Sequence, residues 1–364
     1  MSRYREIYRA DQLPVFQNRM FHTEQDAKNC VKGDIVLVQD LETGLIFNQA
    51  FQPDLMEYDA DYQNEQAVSL VFQRHLQDVA SIIEKYFEAK SLIEVGCGKG
   101  YFLEQLQGLD FEIMGLDPTY EGTNPAIIKK YFTPSVGLRA DGVILRHVLE
   151  HVQDPLKFLL NIREANGGCG KIYIEVPCFD WICQHRAWFD IFYEHVNYFR
   201  LQDFDQIFGT IYESGHLFGG QYLYVVADLA TIRSPIHDKS QPFNLPSDFL
   251  DAMDRYVMRL KSQDQSAAAG RASYAIWGGA SKGVIFALFM ERRGVSVNFV
   301  VDINPGKQGK YLPATGLKVR SPAEAVQGLA SGSDIYVMNS NYLKEIAQFT
   351  AYQFNYLTVE HENI

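Results

Sequence analysis

Two short stretches of this chain have the residue types and spacing to do chemistry. In the first, Glu94-Val-Gly-Cys-Gly-Lys-Gly100, glycines stand at 96, 98 and 100 around Cys97 and Lys99, with Glu94 before them and Asp117 beyond. Glycine carries no Cβ, so the backbone of such a turn can approach a ligand closely. An acid closing the following strand is placed to accept hydrogen bonds from a ribose diol. The spacing G-x-G-x-G differs from the G-x-G-x-x-G of dinucleotide sites, and the whole arrangement suits an adenosine cofactor. In the second stretch, Phe189-Asp-Ile-Phe-Tyr-Glu-His-Val-Asn-Tyr-Phe199, Glu194 and His195 stand side by side among aromatic residues. Imidazole titrates near ~6.5, so the pair has the makings of a general base. The alternative is an aromatic-rich helix turn with a satisfied histidine.

These residues need a sheet to hold them. Strand-like segments recur at Leu92–Val95, Glu112–Leu116, Gly142–Leu145 and Lys171–Val176, with helical spacing between them. That alternation predicts a parallel sheet with helices on both faces, and Tyr222–Ala227 reads as a late strand of it. Helical spacing also runs from Asn64 to Phe87 (Val68, Val71, Phe72, Leu76, Val79, Ile83). Residues 1–55 read as a polar, mixed leader with short strand-like pieces at Ile35–Val38 and Leu45–Phe47. Pro235, Pro242 and Pro246 mark a linker, and a helix pattern follows from Phe249 to Leu260. A second strand–glycine–helix–acid pattern begins at Tyr274-Ala-Ile-Trp-Gly-Gly-Ala-Ser-Lys-Gly283 and continues through Asn298–Asp302 and Asp334–Met338. A glycine loop at a helix start favours anions, and Lys282 adds charge there.

Composition removes several classes. A net charge of −12, from 45 acids against 33 bases without a dense basic run, argues against a nucleic-acid partner. No apolar run reaches the ~20 residues that span a bilayer, and the first residues carry no signal-peptide core. Five cysteines at uneven spacing form no disulfide framework and no Cys-x-x-Cys pair. A reducing cytoplasm is the expected location.

The glycine-rich stretch, together with Ala140-Asp-Gly-Val-Ile-Leu-Arg-His-Val-Leu-Glu-His-Val-Gln-Asp-Pro155, resembles the class I S-adenosylmethionine-dependent methyltransferases, in which an HVLEH pattern is common. The resemblance implies a doubly wound, seven-stranded α/β sheet. It implies that S-adenosylmethionine lies against Glu94, Gly96, Cys97, Gly98, Gly100, Asp117 and His147. His147 and His151, four apart, read as a packed helical pair, the family using no metal here. A closer resemblance is to the sugar carbon-methyltransferases that act on nucleotide-linked keto sugars. It rests on Glu194, His195, Tyr198 and Phe199, on Gly278-Gly-Ala-Ser-Lys-Gly283, on Val301-Asp-Ile-Asn-Pro-Gly-Lys-Gln-Gly-Lys-Tyr-Leu-Pro313, on Ser321-Pro322 and on Asn341-Tyr-Leu-Lys-Glu-Ile346.

This second resemblance implies a small-molecule acceptor, a nucleotide-linked sugar, methylated on the carbon beside a ketone. His195 would remove the proton, with Glu194 or a tyrosine (Tyr62 or Tyr198) orienting the ring. The acceptor would lie against Asn64, His75, Tyr222, Lys282 and Asn341. The implied organisation is an N-terminal cap over 1–65, a cofactor domain over 66–231, a linker and helix over 232–270, and a Rossmann-like C-terminal domain over 271–364. The chain departs from that family in three places. Of the four cysteines of the usual N-terminal zinc module it keeps only Cys30, Asn64 stands where a tyrosine is usual, and a glycine-rich HGGS reads Phe218-Gly-Gly-Gln-Tyr222. Methylation of oxygen or nitrogen on a small natural product or saccharide, and a cofactor-binding protein without transfer activity, are the alternatives.

Overall fold

The computed structural model describes residues 2–56, 68–87, 91–234, 242–266, 272–297 and 299–360. Among the described residues, three sheets carry the fold. The segment read as a polar, mixed leader with strand-like pieces at 35–38 and 45–47 builds an antiparallel sheet from β1 (Tyr4–Pro14), β2 (Lys32–Asp40) and β3 (Ile46–Asn48), with α1 (Glu24–Lys28) between β1 and β2. Charges at Arg5, Glu6, Arg9 and Asp11 hide the alternation of β1 in the sequence, while Tyr8, Ala10 and Leu13 face the core. The open edge of β3 is closed by a two-residue strand, Asn197–Tyr198, which begins two residues after His195.

The central sheet contains β4 (Ser91–Val95), β5 (Glu112–Leu116), β6 (Ile127–Ile128), β7 (Gly142–Arg146) and β8 (Lys171–Pro177), all parallel. After β9, the Asn197–Tyr198 strand of the cap sheet, come β10 (Ile211–Leu217) and β11 (Tyr222–Asp228). The order is β10-β11-β8-β7-β4-β5-β6, with β11 antiparallel to both neighbours. The parallel strands are buried on both faces, as their near-continuous apolar runs require. Flanking helices are α2 (Leu70–Tyr86), α3 (Tyr101–Gln107), α4 (Pro155–Ala165), α5 (Phe179–Gln184) and α6 (Leu201–Ile207).

The helix expected within the linker, α7 (Asp251–Ser266), packs on the third sheet, where Tyr256 meets Phe286 and Tyr336 and its hydroxyl donates to the Val359 carbonyl at 3.0 Å. That sheet is wholly parallel: β12 (Ala272–Trp277), β13 (Val300–Val301), β14 (Val319–Arg320), β15 (Leu329–Val337) and β16 (Asn355–Thr358), in the order β14-β13-β12-β15-β16. With α8 (Ser281–Arg292), α9 (Pro322–Gly328) and α10 (Leu343–Phe349) it makes a second α/β unit. No helix among the described residues is long and apolar enough to cross a membrane.

Candidate active site

In an open parallel sheet, ligands bind outside the carboxyl ends of the strands, and four strand ends meet here. At the end of β4 the backbone turns through Gly96, with φ +73°, where a Cβ would collide with the Val148 side chain. Gly98, with φ +54°, is different: a Cβ there meets nothing within 4 Å. Its face of the turn is open, and its N–H donates to Asp117 Oδ2 at 2.9 Å. Asp117 is buried and also accepts from the Thr119 N–H and hydroxyl. Glu94, on β4, is buried with Oε2 unpartnered. Burial pushes its pKa up to about 7, with Asp117 adding to the rise and Arg146 opposing it. An orphaned carboxylate beside an open glycine turn and a buried acid at the end of the next strand fits S-adenosylmethionine, whose methionine end carries an ammonium group. Cys97 is a buried thiol kept neutral by burial and by Glu94 and Asp117.

The turn after β7 links this region to a second one. His147 and His151 do not share a helix as expected. His147 stands at φ +51°, and only a single 3₁₀ turn, Leu149–His151, follows. The two rings therefore have different partners. His147 Nε2 lies 3.0 Å from Glu175 Oε1 and its Nδ1 lies 3.4 Å from Glu150 Oε1. Burial alone would lower the His147 pKa, but Glu150 and Glu175 outweigh it and raise it to about 9. Glu175, fully buried on β8, also accepts from Arg146, the Tyr173 hydroxyl and His75 Nε2 at 3.1, 2.8 and 3.1 Å. Burial opposes its ionisation, yet Arg146 and the two histidines hold it well below the usual carboxylate range.

His151 Nδ1 lies 2.7 Å from the Glu194 carbonyl oxygen, and its ring meets that of His195 edge-on at 5.0 Å. His195 is buried, packed at 4.0 Å against the Phe192 ring. Burial, reinforced by His151 and His147, drops its pKa well below the ordinary imidazole value, so the ring is neutral near pH 7. The Glu194 carboxylate is anchored from the cap, accepting the Gln17 N–H at 2.9 Å. Tyr198 is buried, and its hydroxyl both donates to the Phe192 carbonyl and accepts the Phe192 N–H, each at 3.1 Å. It closes the turn that presents His195 rather than facing the cavity.

A cavity of about 280 Å³ lies between this region and the C-terminal unit. His147, Glu150, His151, Glu194, His195 and Tyr222 line one wall, and the Gly278–Gly283 loop, Asp302–Asn304 and Lys307 line the other. Of the residues expected to hold an acceptor, Tyr222 and Lys282 line it. His75 and Asn341 do not: His75 is buried on Glu175, and the Asn341 side-chain amide donates to the Phe218 carbonyl at 2.8 Å. Lys282 is already tied to Asp190 and Gln221. Tyr62 and Asn64 lie outside the described residues. Sequence reasoning gave Glu150 and Glu175 no role, took His151 only as the packed partner of His147, and took Lys307 only as part of a motif. For Glu150 and His151 the signal was present in HVLEH, since any turn after β7 faces the strand ends. Among the described residues two groups could hold a metal ion, His75–His147–Glu175 and Glu150–His151–His195.

Residues 67–210 match the family model described as "Methyltransferase domain". Residues 246–355 match the one described as "C-methyltransferase C-terminal domain". No curated protein matches the chain. Among solved structures, a protein of Pyrococcus horikoshii OT3 is 12% identical, with 49% of this chain and 100% of that one covered at TM-score 0.35. An S-adenosylmethionine-dependent methyltransferase of Archaeoglobus fulgidus is 16% identical, covering 44% and 100% at TM-score 0.30. A 1,6-didemethyltoxoflavin-N1-methyltransferase of Burkholderia thailandensis is 12% identical, covering 53% and 96% at TM-score 0.34. With one methyltransferase match laid over the glycine-rich sheet and a second over the C-terminal unit, the chain is a class I S-adenosylmethionine-dependent methyltransferase, and S-adenosylmethionine is its cofactor.

Proposed function

We propose that the enzyme methylates the carbon beside a ketone in a nucleotide-linked sugar, with His195 as general base. The observation that carries this reading is the neutral, buried imidazole on one wall of a cavity whose opposite wall is a second glycine-rich loop. A neutral imidazole has a lone pair to take a proton, and the ketone acidifies the carbon next to it. Tyr222, kept protonated by burial, offers a hydroxyl to the developing enolate oxygen. Cationic His147 adds a positive potential close by, its ring 4.5 Å from that of Tyr222. Glu94, the Gly98 turn and Asp117 would hold the cofactor, which when bound supplies an electrophilic methyl group.

The nucleotide half is assigned to the far wall. Helix α8 begins there without a side-chain cap, so its first N–H groups are open to an anion. Lys307, nine-tenths buried, lies beside it, 3.4 Å from Asn18 Oδ1 and 3.8 Å from Asp302. The match of residues 246–355 to a carbon-methyltransferase domain supports the same reading.

The test is incubation with methyl-labelled cofactor and nucleoside-diphosphate keto sugars in D₂O. Carbon methylation gives a labelled product and exchange of the hydrogen beside the ketone. A labelled product with the methyl on oxygen or nitrogen, without exchange, overturns the proposal.

A further inference from the structure

We infer that Lys282 is a positioning residue through which the C-terminal unit holds the segment carrying the base; the inference rests on the reading of His195 as that base. Lys282 stands in the first turn of α8, where a free lysine would serve an anionic ligand. Its ammonium is instead engaged by three pieces of the central-sheet unit. Nζ lies 3.2 Å from Asp190 Oδ2 and 3.0 Å from Gln221 Oε1, and it sits 4.8 Å from the centre of the Trp181 ring. Both members of the ion pair are largely buried, with side chains 15% and 12% exposed. Truncating one partner of such a pair strands the other charge away from water.

Asp190 ends the 3₁₀ turn Trp188–Asp190, and the chain from it to His195 is buried without interruption. Trp188, in the same turn, stacks on Phe286 of α8 at 5.5 Å. The segment therefore has one anchor on the C-terminal unit at Asp190 and others on the cap, through Glu194 to Gln17 and through Asn197 in β9. Gln221 is itself locked to Asn339 by reciprocal amide bonds of 2.9 Å, so the lysine grips a braced surface. Residues from helix α5, the 3₁₀ turn and the β10–β11 connection around one ammonium make a joint, and the joint lies five residues from the proposed base.

The experiment compares Lys282→Met, Lys282→Arg, Asp190→Asn and the double variant Asp190→Asn/Lys282→Met in the full chain. Amide hydrogen exchange needs no acceptor. Lys282→Met and Asp190→Asn should each speed exchange across residues 190–199, while β4 and β5 stay protected. Lys282→Arg, which keeps charge and reach, should restore protection. With a nucleoside-diphosphate keto sugar as probe, kcat should fall by up to about 100-fold, the usual consequence of a misplaced catalytic group. KM should stay near its original value, and the double variant should be no worse than either single one. A raised KM with unchanged kcat would make Lys282 a ligand for the acceptor's anion and overturn the inference. Unchanged exchange in Asp190→Asn would also overturn it, even if Lys282→Met fails to fold. Near-full turnover in His195→Asn sinks the base assignment alone, since the exchange result on 190–199 stands apart from it.

Discussion

At the scale of single residues, the site depends on what burial does to charge. His195 and His147 lie on the same cavity wall, and their surroundings drive them in opposite directions, one neutral and one cationic. If the neutral ring is the base, His195→Asn should lower turnover by ~100- to 10,000-fold and leave cofactor binding nearly intact. The wild-type pH–rate profile should carry an acid limb well below pH 6.5, because protonating His195 removes the lone pair, and the asparagine variant should lack it. Glu94 gives a second test. Its carboxyl titrates at about 7 before an ammonium arrives, and only the ionised form attracts that group. Calorimetric affinity for S-adenosylhomocysteine should be about tenfold weaker at pH 6 than at pH 8. Glu94→Gln should bind weakly at both; a flat wild-type affinity would remove Glu94 from the cofactor site.

At the scale of elements, the C-terminal α/β unit helps to cap a helix of the central one. Ser69 caps α2 by accepting the Val71 and Phe72 N–H groups, and its hydroxyl donates to Glu345 of α10 at 2.7 Å. Glu345 also accepts the Leu70 N–H at 3.0 Å. Glu345→Ala should cost about 1–2 kcal/mol in denaturant unfolding, and Glu345→Gln much less, because it keeps an acceptor. What was legible in the sequence follows the same division. Strands β4, β5, β7 and β8 and their order along the chain could be read because continuous apolar runs end at glycine or at charge. β1 could not, because its exposed face is charged and two register shifts, at Glu6–Tyr8 and Ala10–Leu13, break its alternation. His75, Asn341 and Tyr198 were legible as notable residues but not as parts of a site. Whether a polar side chain faces a cavity or a backbone group is decided by tertiary packing that no spacing encodes. The link between His151 and His195 was invisible for the same reason, as it joins residues 44 positions apart in a turn expected to be helix.

At the scale of the whole molecule, the cap holds itself together without drawing on its one cysteine. Cys30 is a free thiol, and β1 and β2 are tied by a long ladder and by Arg3 to Asp40 at 2.7 Å. Chelation during purification should therefore leave the melting temperature unchanged; a fall on metal removal would show that an ion holds the fold.

The pairing of β3 with β9 also sets the order in which the molecule can be finished. Ile46 meets Tyr198, a closure over roughly 150 residues whose entropy is lost before the contact repays it. On a ribosome the cap strands emerge before β9 and wait with β3 as an open edge, exposed to pairing with other chains. The strand that ends the wait leaves the ribosome only two residues behind His195. Closing the cap thus draws in the segment that carries the proposed base, and the nascent chain keeps an unpaired edge until that strand arrives, while the far wall and the Lys282 joint can form only later.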